Sequence, residues 1–154
     1  MINPNAKILD KYALSYLTMC FTGSFVNGNN EFIANRKSNT YFRLEDCSTE
    51  MDLKCKVLEY VSRAACKGIP YNSDWRNDKF QNEMRDGMNR FLGTDFSRED
   101  MEKIYTYLGN GVNREKTVAF IKLGYNMDIL PLKGEMLQNF INENKETLDC
   151  EEER

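Results

Sequence analysis

The stretch Glu50-Met51-Asp52-Leu53-Lys54-Cys55-Lys56-Val57-Leu58-Glu59-Tyr60-Val61-Ser62-Arg63-Ala64-Ala65-Cys66-Lys67 decides how the rest of the chain is read. Leu53, Val57, Val61, Ala64 and Ala65 recur at helical spacing on one face, and Met51, Cys55 and Leu58 form a second apolar edge. A helix with two apolar edges has little surface left for water, so this one is expected at the centre of a helical core. The preceding Asp46-Cys47-Ser48-Thr49 is rich in side chains that start helices. Lys67 in the last turn, then Gly68 and Pro70, stop the helix.

Downstream, Tyr71 to Trp75 reads as a connecting loop that holds the only tryptophan. Phe80, Met84, Met88 and Phe91 set a helix from about Arg76 to Leu92, ended by Gly93. Ser97, with Glu99 and Asp100 in the first turn, starts a helix whose stripe is Met101, Ile104, Tyr105 and Leu108. Gly109-Asn110-Gly111 ends it, and Asn113 caps another helix that runs to Gly124. Pro131 precedes a last helix with Leu137, Phe140, Ile141 and Leu148 on one face. Upstream, Asn3-Pro4 opens a helix carrying Ile8, Tyr12, Tyr16 and Leu17. Residues 31–35 and 40–44 alternate as two short strands of a β-hairpin about Arg36-Lys37-Ser38-Asn39. The expected fold is therefore mainly α (α+β): a compact domain of about six helices with a small β-hairpin.

The chain has 154 residues, which suits a single globular domain over 1–148 with an acidic tail at 149–154. The formal charge of −3 is uneven: from Glu143 to Arg154 six acids meet two bases, a charge of −4 that leaves residues 1–142 at +1. A nearly neutral body is a poor generic binder of nucleic acid, whose affinity rests on clustered Lys and Arg. No stretch is apolar enough to span a bilayer. The opening Met1-Ile2-Asn3-Pro4-Asn5 has no basic patch and apolar run, so no secretory leader is expected. Five cysteines, an odd number without Cys-x-x-Cys, read as free thiols of a reducing cytosol.

There is no histidine. That removes Ser-His-Asp triads, Cys-His dyads and every metal site that needs an imidazole. Cys55 and Cys66 stand eleven residues apart on one helix, about 16 Å at helical rise, too far to share a metal. No metal site and no cofactor are expected. The carboxylate pairs Glu45/Asp46, Glu99/Asp100 and Glu83/Asp86 lack any sign of a common cleft, and helix starts account for several of these acids. Cys47 precedes a helix, but Asp46 opposes its thiolate. Gly109-Asn110-Gly111 has neither a preceding strand nor the Gly-Lys-Ser/Thr of a phosphate loop. A helix-turn-helix also fails there, because Tyr105 or Tyr107 takes the small site and Asn110 a buried one. The chain is expected not to be an enzyme.

The aromatics carry more. With 8 Tyr, 9 Phe and 1 Trp, a domain of this size is expected to leave some of them at its surface, where Tyr, Trp and Arg anchor interfaces. Tyr71, Asp74, Trp75 and Arg76 form one candidate partner-binding cluster, and Tyr105 and Tyr107 another. The alternative is a nucleic-acid-binding regulatory protein using Arg36, Lys37 and Arg43 of the hairpin with Arg114, Lys116 and Lys122. A second alternative is a histidine-free enzyme with paired carboxylates.

The short, Asn- and Tyr-rich, histidine-free chain, with Asn27-Gly28-Asn29-Asn30, Thr106-Tyr107-Leu108-Gly109-Asn110 and the ending Asp149-Cys150-Glu151-Glu152-Glu153, resembles accessory proteins of phages and mobile elements, the anti-CRISPR inhibitors among them. The resemblance lies in general character and brings no motif. It implies a non-enzymatic binder, monomeric or homodimeric, acting in the host cytosol. Its expected partner is a protein such as a defence nuclease, blocked sterically, with acidic groups standing in for phosphate.

Overall fold

The computed structural model describes residues 49–68, 72–111 and 113–149, and these are mostly helical, with no strand among them. The expected first helix and the hairpin at 31–44 lie outside the described residues. The helices are α1 (Glu50–Lys67), α2 (Asn72–Trp75), α3 (Asp78–Leu92), α4 (Arg98–Gly109), α5 (Arg114–Lys122), a 3-10 turn (Met127–Ile129), α6 (Gly134–Glu143) and α7 (Lys145–Asp149).

α1 is the central helix its two apolar edges called for. Nine of its eighteen residues are buried, from Leu53 through Val57, Leu58 and Val61 to Ala64. Thr49 caps it by accepting from the Asp52 N–H at 3.0 Å, and Gly68 closes it in the left-handed conformation at φ 68°. α1 packs most extensively on α4 and also meets α5. The α1–α4 approach is close because Gly109, at the end of α4, lies on the Ser62 carbonyl. Beside it the Cys66 thiol donates to the Tyr105 carbonyl at 3.1 Å.

Three details differ from the sequence reading. The segment before Trp75 is a short helix, Asn72–Trp75, not a loop; four residues are too few to show a period. α3 begins at Asp78 because the Asn77 side chain accepts from the Phe80 N–H at 3.1 Å. The last expected helix is split at Asn144, whose side chain donates to the Phe140 carbonyl at 2.9 Å.

The turn between α3 and α4 is organised by Asn89. Its Oδ1 accepts from the Thr94 hydroxyl at 2.8 Å and the Phe96 N–H at 2.7 Å, while its Nδ2 donates to the Phe96 carbonyl at 3.1 Å. Ser97 and Asp100 then form a reciprocal capping box on α4. Arg98 ties α4 back to α3 through Asn82 at 3.0 Å and Asp78 at 3.5 Å.

The apolar residues fall into two clusters. The larger joins α1, α3, α4 and α5 through Leu58, Met84, Met88, Met101, Ile104 and Phe120, all sealed from solvent. The smaller one, Ala119, Ile129 and Leu137, lies on the other side of α5 and seats α6 and α7.

Candidate interaction surface

The helical period places Tyr105 and Tyr107 on opposite sides of α4. Tyr105 belongs to the buried stripe with Met101, Ile104 and Leu108. Its ring meets Trp75 edge-on at 5.5 Å, and Trp75 meets Phe80 the same way at 5.0 Å. Trp75 is itself buried, and its carbonyl accepts from the Gln81 side chain. Both are core residues, which corrects their expected place at the surface: three edge-on rings bury more apolar area together than any of them could apart. Arg76 is exposed, Asp74 lies within α2, and Tyr71 is outside the described residues.

Tyr105 carries a second consequence. Its hydroxyl is buried and has no hydrogen-bond partner among the described residues. Burial pushes its pKa well above the ordinary phenol value, with the Arg98 charge acting weakly in the opposite sense, and burial raises Tyr60 likewise. Tyr105→Phe is expected to stabilise the protein by about 1 kcal/mol at neutral pH, because it removes a buried polar atom with no hydrogen-bond partner among the described residues. The unfolded chain releases both phenolic protons near pH 10 while the native state keeps them. Stability should therefore fall above that pH by up to about 1.4 kcal/mol per pH unit for each phenol. Urea melts of both proteins between pH 7 and 11 check this: the variant should start higher and fall less steeply.

The cations proposed for phosphate on α5 are engaged within the chain. Arg114 donates from Nε and Nη2 to the two carboxylate oxygens of buried Glu59, each at 2.9 Å, and from Nη1 to Asp52 at 2.9 Å. These bonds to carboxylates, Glu59 first, raise the guanidinium pKa further. Lys116 is buried and donates to the Leu130 carbonyl at 2.8 Å. Burial, with Lys133 nearby, holds its pKa below the usual lysine value. Lys122 donates to the Leu148 carbonyl at 2.8 Å. The physical reason is the short reach from α5 to carboxylates and open carbonyls of its neighbours, which sequence spacing does not reveal. Arg36, Lys37 and Arg43 lie outside the described residues. Arg114→Ala should cost about 2 kcal/mol, between the values for exposed and for buried ion pairs, since it leaves Glu59 buried without its partner. Arg114→Lys should recover less than half of that in a urea titration, because a lysine cannot form the two-pronged contact.

What α4 does present outward is a groove. Glu99, Lys103 and Tyr107 form one row four residues apart, Glu102 and Thr106 the neighbouring row, and the five line an open hollow of about 310 Å³. Tyr107 is 40% exposed; with Met136 at 68% it is one of the two large apolar side chains exposed among the described residues. Glu99 and Glu102 make no ion pair among the described residues. A hollow formed by one helix cannot enclose a small molecule, as ligand pockets do. It has the form of the groove between side-chain rows into which a protruding ridge of another protein packs. Asp100 is held in the capping box and Asp86 by Arg85 at 3.0 Å. Among the described residues no three Cys, Asp or Glu side chains converge on a common metal position. No helix among them is long and apolar enough to cross a membrane.

No protein-family model matches the chain, and neither a curated protein nor a solved structure matches it.

Proposed function

We propose that this chain is a non-enzymatic protein-binding module, a phage-type inhibitor of a host defence nuclease, that blocks its partner with the outer face of α4. The observation that carries this reading is the groove itself, an exposed tyrosine beside a small threonine, with two glutamates one to two turns away that make no ion pair among the described residues. Tyrosine supplies a rigid amphipathic anchor at low entropy cost. The glutamates suit a positively charged groove that would otherwise hold nucleic acid. Nucleic-acid binding has less support, since Arg114, Lys116 and Lys122 are engaged within the chain.

The test is target-DNA cleavage by a panel of purified CRISPR effector nucleases with stoichiometric amounts of the chain. Inhibition of at least one member is expected. Thr106→Arg, which fills an exposed groove and should change stability by no more than about 0.5 kcal/mol, should abolish it. Tyr107→Ala should weaken binding roughly 30-fold, the loss typical of an interface anchor. Full cleavage across the panel, or inhibition that survives Thr106→Arg, would overturn the proposal.

A further inference from the structure

We propose that α6 and α7 form a strap across α5 that swings away as one unit about residues 131–134, while the main core stays folded. Four observations place its parts. The fixed end is Leu130, fully buried in the larger cluster, with its carbonyl pinned by the Lys116 ammonium at 2.8 Å. The hinge follows at once. Pro131 is exposed and has no N–H to donate, Gly134 turns the chain at φ 57°, and Lys133 gives α6 no side-chain cap.

The strap itself is lightly seated. α6 has one fully buried side chain, Leu137, and α7 has none. They rest on a cluster of three buried residues, against twenty in the larger one, with Leu123, Phe140 and Ile141 only half-buried. The far end is latched where Lys122 of α5 donates to the Leu148 carbonyl at 2.8 Å. Segments with few buried apolar contacts open at lower free energy than the global transition. A hinge at one end and a hydrogen-bonded latch at the other make that opening a concerted motion, not a fraying end. Opening uncovers Ala119 of α5, Leu123 just after it, and Phe140 and Ile141 of α6.

Native-state amide hydrogen exchange on the full chain tests this without a ligand. The amides of residues 137–148 should exchange at least ~100-fold faster than those of α1 and α4 and share one rate and one denaturant dependence. Lys122→Met keeps the aliphatic stem but removes the charged donor. It should speed exchange of the strap roughly tenfold, the worth of one charge-assisted hydrogen bond, and leave α1 and α4 unchanged. Lys122→Arg, which keeps a donor, should restore most of the protection. Protection that decays step by step inward from residue 149 would reduce the strap to a frayed end. Strap amides as slow as those of α1, or unmoved by Lys122→Met, would equally overturn the proposal.

Discussion

Gly109→Ala is expected to cost about 3 kcal/mol, against the direction that helix propensity alone gives. Gly109 is the last residue of α4 and is not among the glycines at positive φ. Alanine is the better helix former by about 1 kcal/mol, so on local grounds the change should stabilise. A methyl there, however, would come to 2.7 Å from the Ser62 carbonyl carbon, 2.8 Å from the Cys66 sulfur, and closer still to the Ser62 oxygen. Ser62 lies inside α1, where backbone cannot step aside, so the two helices must part. Parting them loosens Leu58, Val61, Ile104 and Leu108 together and breaks the hydrogen bond from the Cys66 thiol to the Tyr105 carbonyl. For a chain of this size the loss amounts to roughly 6–12 °C in melting temperature. Gly93→Ala is the control: no atom stands within 4 Å of its position, and it sits at φ 72°, so only backbone strain of about 1–2 kcal/mol applies. Equal urea midpoints for Gly109→Ala and the parent protein would show that α1 and α4 are free to slide.

Phe120→Ala should be the most damaging single truncation, at about 4 kcal/mol. Phe120 has no exposed surface and is the largest sealed side chain among the described residues. It stacks on Phe96 at 6.4 Å and meets Tyr125 edge-on at 5.5 Å, while Phe96 meets Tyr125 at 5.7 Å. Each such pair adds about 0.5–1.5 kcal/mol beyond the area it buries. The triad also holds Tyr125 in the left-handed region at φ 58°, where a side chain is strained, and the Tyr125 N–H donates to the Phe120 carbonyl at 2.7 Å. Without the Phe120 ring, Tyr125 loses the packing that offsets its strain. The turn from 123 to 127 should then lose amide protection along with global stability. Against a typical total of about 5–15 kcal/mol, a loss of this size shows as a large shift of the denaturation midpoint. A loss below about 1.5 kcal/mol would mean that the cluster refills the space.

The helices of the described region were readable wherever periodicity and caps agreed. Glu50–Lys67 has two apolar edges, a threonine before it and a glycine after it, and each did what its chemistry implies. The Ser97 and Asn113 caps behave the same way. Boundaries set by one side chain, such as Asn77 for α3 and Asn144 at the break before α7, were harder, because an asparagine looks the same in a cap and on a surface. The placement of the candidate site residues is the least readable. The stripe Met101-Ile104-Tyr105-Leu108 places Tyr105 inward, and for this residue helical period outweighs aromatic composition. Trp75 had no period around it, and its burial depends on Phe80 and Tyr105 from other helices. Arg114, Lys116 and Lys122 fall on one helix by their spacing, but their carboxylate and carbonyl partners are 14 to 62 residues away. In the sequence Gly109 looks like part of a stop signal. The clue to its packing role was redundancy, since Asn110-Gly111 alone suffices to end the helix.

The inward reach of the α5 lysines bears on how this protein should be handled. An amine that is at least half-buried and hydrogen-bonded reacts more slowly with acylating reagents, so buried Lys116 and half-buried Lys122 should be labelled less than exposed amines. Lys103 lies exposed in the α4 groove and offers its amine openly. Random amine coupling to a bead or a dye would therefore spare the seam under α5 and obstruct the very groove through which we propose the protein binds.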